Sequence, residues 1–342
     1  MDTAKMKKPS RVSALLLGFV GPGLGQAYLG QWRRAALWAF VPFPLFLCYT
    51  ALLMRLRWSA AYGSFLPGAF LFWLGWFVAR SVDVFVIPED RIRAVPAARL
   101  FALWLGAIVS LVALSFVNRT FFVEAFKIPA GSMAPTLVIQ DHTLVDKAAF
   151  RGTEPKRGEL AVFVSPEHPE QDYVKRIVAL AGDHLVVRHG RVWLNDWSVP
   201  YCRAGDAVRS AQPGEEDQIG ELGVEFLGEH AYLTFLDQEH GEPEQGPFTV
   251  PAGEVYVLGD NRNNSFDSRF WFGGRGGGVP IASLLGVPRF LWLSFDASGQ
   301  VNWQRIGASL DKPLLAGWPE PVQKGLRKCL ADRPAQTLPP VR

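Results

Sequence analysis

Three stretches of the chain carry no charged residue for about the 20 residues that crossing a bilayer requires: residues 35–54, 58–79 and 100–118. Each is predicted as a transmembrane helix, because three such runs in the first third of a chain are not the pattern of buried helices in a soluble protein. Pro42, Pro44 and Pro67 fall inside these runs, where neighbouring helices can satisfy the carbonyls that proline frees. A fourth uncharged stretch, 12–32, is broken by Gly21, Pro22, Gly23 and Gly25 and made more polar by Gln26 and Gln31. It is predicted as a re-entrant or interfacial segment, and the Gly-Leu-Gly-Gln-Ala-Tyr-Leu-Gly-Gln run at 23–31 has no role that the sequence alone assigns.

After Asn118 the period changes to short alternating segments separated by turn residues, which signals β structure. Strands are predicted at 143–145, 160–164, 173–180, 232–235, 255–258 and 290–295. A hairpin joins 185–187 to 192–194 through His189-Gly190, and Asn195-Asp196 makes the next turn. The segment 203–246 is rich in Gly, Glu, Gln and Pro and reads as an irregular surface insertion; 273–278, five of whose six residues are glycine, reads as a mobile loop. The expected organisation is a cytoplasmic N-terminus with the re-entrant segment (1–34), a transmembrane region of three helices (35–118), a mainly β domain (119–310), and a loosely held tail (311–342).

Hydrophobic residues make up 49% of the chain and charged residues 20%, too apolar for a disordered protein. The net charge of +3 conceals a division. Up to Asn118 there are 12 Lys and Arg against 4 Asp and Glu, a balance of +8; beyond it there are 23 against 28, a balance of −5. Positive charge beside apolar segments orients a membrane protein and is no footprint for nucleic acid. If the last span runs from inside to outside, three spans leave only Arg55 and Arg57 outside, with the ten other basic residues of this region inside; four spans give six against six and erase the bias. Three spans with the N-terminus inside are therefore expected. No A-x-A-like cleavage site follows the basic start, and no strand precedes the glycines at 21–25, so neither a removable leader nor a dinucleotide fingerprint is read there. Three cysteines exclude a disulfide-dense scaffold and match no zinc spacing; Cys202 and Cys329 fall on the side where a disulfide can persist.

Three stretches carry candidate chemistry. Phe126-Lys-Ile-Pro-Ala-Gly-Ser-Met-Ala-Pro-Thr-Leu137 sets Ser132 in a turn between two prolines directly after an alternating strand, a serine presented rather than packed. A serine hydroxyl needs a base to become a nucleophile, and the base can be histidine or lysine. His142, His168, His184, His189, His230 and His240 mostly sit in polar turns. Lys175, in Asp172-Tyr-Val-Lys-Arg-Ile-Val-Ala-Leu180, lies in an apolar strand where desolvation lowers an amine's pKa toward neutrality. The third stretch, Tyr256-Val-Leu-Gly-Asp-Asn-Arg-Asn-Asn-Ser-Phe-Asp-Ser-Arg269, is a dense polar run after an apolar strand, able to orient such a base.

In this order the stretches resemble the three boxes of bacterial signal peptidase I: Ile128-Pro-Ala-Gly-Ser-Met-Ala-Pro-Thr136, Tyr173-Val-Lys-Arg176 with Gly182-Asp183, and Gly259-Asp-Asn-Arg-Asn-Asn-Ser-Phe-Asp-Ser-Arg269. The resemblance covers the last span and nearly all of 119–300. It implies a helical membrane anchor with a mainly β catalytic domain of the signal peptidase type, multi-pass in the bacterial inner membrane and catalytic on the extracytoplasmic side. It further implies a serine endopeptidase that removes signal peptides from exported preproteins with Ser132 as nucleophile and Lys175 as general base. Ser265 would hydrogen-bond the lysine amine, Asp267 and Arg269 would hold the third box with Asp260 and Arg262 beside them, and the Ser132 N–H would donate to the oxyanion. Ala130 stands where one branch has a serine as second oxyanion donor, and Ala179 and Ala181 stand where glycine and proline are frequent, so a slightly different turn is expected there. The implied partners are preprotein signal peptides and the lipid bilayer, with no cofactor, no metal and no nucleic acid; Arg262 and Arg269 would compensate the carboxylates of Asp260 and Asp267. Ser132, 14 residues past Asn118, is then within about 45 Å of the bilayer, at roughly 3.3 Å per residue. The competing readings are a non-catalytic membrane module of this fold that binds exported chains, and a self-cleaving repressor, against which the absence of a helix-turn-helix pattern counts.

Overall fold

The computed structural model describes residues 8–55, 65–209, 218–237 and 244–340. The chain divides after Phe122 into two units.

The first unit is helical. α1 (Arg11–Val20) is capped by Ser10, whose hydroxyl accepts from the Ser13 N–H; α2 (Leu24–Tyr28), α3 (Trp32–Phe40) and α4 (Pro42–Arg55) follow. α1 rises only about 15 Å at 1.5 Å per residue, half of the roughly 30 Å hydrocarbon core. The glycines at 23 and 25 are there for backbone contact. A Cβ on Gly23 would fall 2.3 Å from the Ala35 carbonyl oxygen, and one on Gly25 would fall 2.4 Å from that of Ala14. The run at 23–31 thus lets α2 lie directly on its two neighbours. Gln26, fully buried, then reaches the next long helix, α5 (Phe65–Val86), donating to the Arg80 carbonyl at 2.9 Å.

Two of the expected spans differ in their limits. The one expected at 35–54 is divided at Val41: Pro42 lacks the N–H that would bond the Trp38 carbonyl, and Trp76 Nε1 donates to that carbonyl instead. The one expected at 58–79 begins outside the described residues and, as α5, continues past Arg80 to Val86. A carboxylate is tolerated there because Asp83 is paired with Arg34 and accepts from Trp38 Nε1 at 2.8 Å. α6 (Ala97–Phe121) contains the third. Among the described residues, α5 and α6 are the helices long and apolar enough to cross a membrane.

The second unit is mainly β. A seven-stranded antiparallel sheet runs in the order β1-β2-β14-β3-β4-β12-β13, the last being the short edge strand Val279–Pro280. Its members used below are β1 (Val123–Lys127), β2 (Asp141–Asp146), β3 (Leu160–Val164), β4 (Asp172–Leu180), β12 (Glu254–Leu258) and β14 (Leu284–Ser294). A four-stranded sheet holds the predicted hairpin, β5 (His184–Arg188) with β6 (Arg191–Leu194), in which His189 and Gly190 both take positive φ as a tight hairpin turn demands.

The segment expected to be irregular forms a three-stranded sheet instead: β8 (Tyr201–Arg209), β9 (Gln218–Leu227) and β10 (His230–Asp237), in the order β10-β9-β8. Its glycines and glutamates masked an alternation in which Leu222, Val224 and Phe226 share one face. That face is covered by residues expected to be a loose tail. α7 (Glu320–Ala331) starts on Pro319 and Pro321, which fit a first helical turn, and buries Val322, Leu326 and Cys329 against Ala207, Leu222, Val224 and Phe235. Cys329 is disulfide-bonded to Cys202 of β8. The bond closes a separation of 127 residues, for which a stabilisation of about 2–5 kcal/mol is typical. Reductant should therefore lower the thermal unfolding temperature of the wild type, and Cys202→Ser with Cys329→Ser should start from the lower value and not respond to reductant.

Candidate active site

β1 leads into a single 3-10 turn, Gly131–Met133, that carries Ser132. Gly131 and Met133 are buried, and Met133 packs with Ile128, Leu137, Leu160 and Leu291, so the turn is anchored on both sides and Ser132 is left half-buried between the anchors. Lys175 comes from the middle of β4, opposite Ala161 of β3, and is 4% exposed. Its Nζ lies 2.5 Å from Ser132 Oγ. Among the described residues it forms no ion pair. Burial brings its pKa down to about 8, against a partial upward pull from Asp267 and then Asp260, with Arg269 adding to the depression.

The third box fixes this pair from below. Asp267, fully buried, would be raised by desolvation, but Arg269 overrides this, donating from Nε to Oδ1 and from NH2 to Oδ2, both at 2.8 Å, and the carboxyl is held below the usual range. Asp267 Oδ2 also accepts from the Gly259 N–H at 2.9 Å. The bond expected from Ser265 to the Lys175 amine is not formed. Ser265 Oγ is buried without a hydrogen-bond partner, close enough to the Asp267 carboxylate to lower its pKa but off bonding geometry. Asp260 is paired with Arg176 rather than Arg262: Arg176 Nε and NH2 donate to its two oxygens at 2.7 and 2.6 Å, and Thr136 of the serine box donates at 2.5 Å. The buried Arg262 pairs with Glu225 of β9. Among the described residues there is no group of three or more metal-ligating side chains.

Three residues of the site stand outside the expectations drawn from the sequence. Asn261 donates its backbone N–H to the Ser132 carbonyl at 3.1 Å and its Nδ2 to the Gly131 carbonyl at 3.2 Å, latching the serine turn to the third box. Arg176 follows Lys175 in an apolar strand and must face the other side of the sheet, so a buried cation in need of a carboxylate was legible there. Glu225 carried no such signal, because it lies in the segment read as surface insertion. In the lysine box, β4 continues through Ala179 to Leu180 and turns at Gly182, with φ of +86°.

Ser132 and Lys175 open onto a groove of about 610 Å³, lined by Phe126, Ile128, Ala130, Tyr173, Val174 and Phe266 among others. An amine with a pKa near 8 touching a hydroxyl in an apolar groove suits nucleophilic attack on the carbonyl of an extended acyl chain.

Residues 101–293 match the family described as signal peptidase, peptidase S26. The chain is 34% identical over 219 residues to the signal peptidase I of Pseudomonas aeruginosa, covering 56% of this chain and 73% of that protein. It is 35% identical over 216 residues to the signal peptidase I of Pseudomonas fluorescens, with the same coverage. A solved structure of a signal peptidase I from Enterococcus faecalis is 25% identical, with a TM-score of 0.23, over 40% of this chain and 97% of that one.

Proposed function

Since the chain belongs to the signal peptidase I family, membrane-anchored serine peptidases that cleave signal peptides from preproteins, we propose that it performs this cleavage with Ser132 as nucleophile and Lys175 as general base. The observation that carries the assignment is the contact of Ser132 Oγ with a buried lysine amine on the wall of an apolar groove.

The neutral amine of Lys175 takes the proton of Ser132, and the alkoxide forms a C–O bond to the carbonyl carbon of the signal peptide's last residue. The negative charge that develops on the carbonyl oxygen is met by the Ser132 N–H, the kind of fixed donor that counts most when charge develops in the transition state. The methyl group at Ala130 can donate nothing, so the second donor is not the side chain at that position. The C–N bond breaks, the lysine ammonium gives its proton to the leaving amine, and an ester to Ser132 remains. Lys175, neutral again, takes a proton from water, whose oxygen attacks the ester carbon; the bond to Ser132 Oγ breaks, the ammonium returns its proton to that oxygen, and the signal peptide leaves with a new carboxyl group. Asp267 with Arg269 and Asp260 with Arg176 hold the base without forming an ion pair with it, which keeps its proton loosely bound.

The same reading puts the catalytic unit on the extracytoplasmic side of a bacterial inner membrane, with several spans anchoring it in the bilayer. The Cys202–Cys329 bond supports that side, since disulfides persist where the environment is oxidising, and so does the basic excess before Asn118. The test is the purified protein in detergent with a preprotein that has small residues at the first and third positions before its cut. The wild type should release a single mature chain. Wild-type rates with Ser132→Ala would overturn the assignment.

A further inference from the structure

Two cations stand beside the catalytic pair, and the three-stranded sheet of the insertion receives both. Alternation along β9 puts Glu225 on the face opposite Leu222, Val224 and Phe226, and its carboxylate pairs with the Arg262 guanidinium; the side chains are 1% and 2% exposed. Arg262 NH1 also donates to the Gly190 carbonyl at 2.7 Å. Across the ladder from Glu225 stands Tyr232 of β10, whose ring lies under the Arg176 guanidinium at 3.9 Å. The backbone of β10 closes the clamp: the Phe235 N–H donates to the Asp260 carbonyl at 2.9 Å and the Arg262 N–H donates to the Phe235 carbonyl at 3.0 Å. Between these two bonds sits Asn261, the residue that holds the carbonyls of Gly131 and Ser132. Residues 260–262 therefore join the strand of the base to the turn of the nucleophile, and the insertion sheet holds them from behind.

We infer that the sheet β8–β10 is the buttress of the catalytic pair and that Glu225 is a positioning residue, acting through Arg262 and Asn261 on the placement of Ser132. The inference rests on the Ser132 and Lys175 reading. Glu225 touches neither the groove nor the pair, so its effect belongs in turnover and not in substrate binding: a displacement of about 1 Å in a reacting group can lower a rate some 100-fold.

The experiment compares Glu225→Gln, Glu225→Asp and the double variant Glu225→Gln with Arg262→Met in the full-length protein in detergent, following kcat, KM and the pH dependence of cleavage. Glu225→Gln should lower kcat about 10- to 100-fold with KM within about 2-fold. Its alkaline-rising limb should move upward from about 8, because a loosened third box lets water reach Lys175 and relieves the burial that depresses it. Glu225→Asp should recover part of the rate. The double variant removes the unpaired buried charge and restores folding, yet should keep the low kcat. A kcat that falls only with the folded fraction, with an unmoved pH midpoint, would overturn the inference, as would a double variant with wild-type turnover. Should Ser132→Ala retain cleavage, it is the assignment of the pair that fails.

Discussion

Lys175→Ala is expected to lower signal-peptide cleavage by about 10³-fold or more, with the fold intact, since removing either member of a nucleophile and base pair costs nearly as much as removing both. Combining it with Ser132→Ala should add little further loss. Lys175→Arg should be as inactive as Lys175→Ala, because a guanidinium stays protonated and cannot serve as the base. In the wild type the sign of the pH dependence follows from the depressed amine. Only the neutral form accepts the serine proton, so kcat/KM should rise with pH through a midpoint near 8 and level above it. A profile that rises instead through the histidine range, or full activity of Lys175→Ala, would point to another base.

Asp260→Asn should be the most destabilising single change near the site. Its carboxylate takes both arms of Arg176 and the Thr136 hydroxyl, and the Arg176 and Asp260 side chains are 3% and 0% exposed. Breaking such a pair from one side leaves a buried charge uncompensated, typically about 3–5 kcal/mol, and for a unit of this size that is on the order of 10 °C in thermal unfolding. The substitution also acts on the base in a direction that lost stability does not mimic. Asp260 pulls the Lys175 pKa upward, so removing its charge should move the rising limb of the pH profile below 8 even as the protein becomes less stable. A stable variant with an unmoved limb would show that Arg176 finds another partner.

The candidate pair was more legible in the sequence than its support. Ser132 and Lys175 could be read because each breaks a local rule: a serine held between prolines, and a lysine in an apolar strand. The division into a helical and a mainly β unit followed from the change of period near Asn118. What escaped the sequence were pairings between residues distant along it. Nothing local tells that Asp260 answers Arg176 or that Arg262 answers Glu225. The prolines at 319 and 321 read as loop residues although they begin a helix, and the charges in α5 read as its end although Arg34 and Trp38 answer Asp83. Arg176 and Asp260 are 84 residues apart in the sequence, Arg34 and Asp83 are 49 apart, and Arg262 and Glu225 are 37 apart.

The disulfide between Cys202 and Cys329 also sets an order in time. All three catalytic boxes, from Ser132 to Arg269, are synthesised before α7, yet the sheet that supports them cannot cover its apolar face until α7 has been made and has docked. Domains fold as their chain emerges, so the apolar face of the sheet waits on a helix made after all three boxes. A nascent chain halted before that helix would leave the apolar face of the sheet uncovered, and on the proposed reading cleavage would begin only after the sheet is sealed.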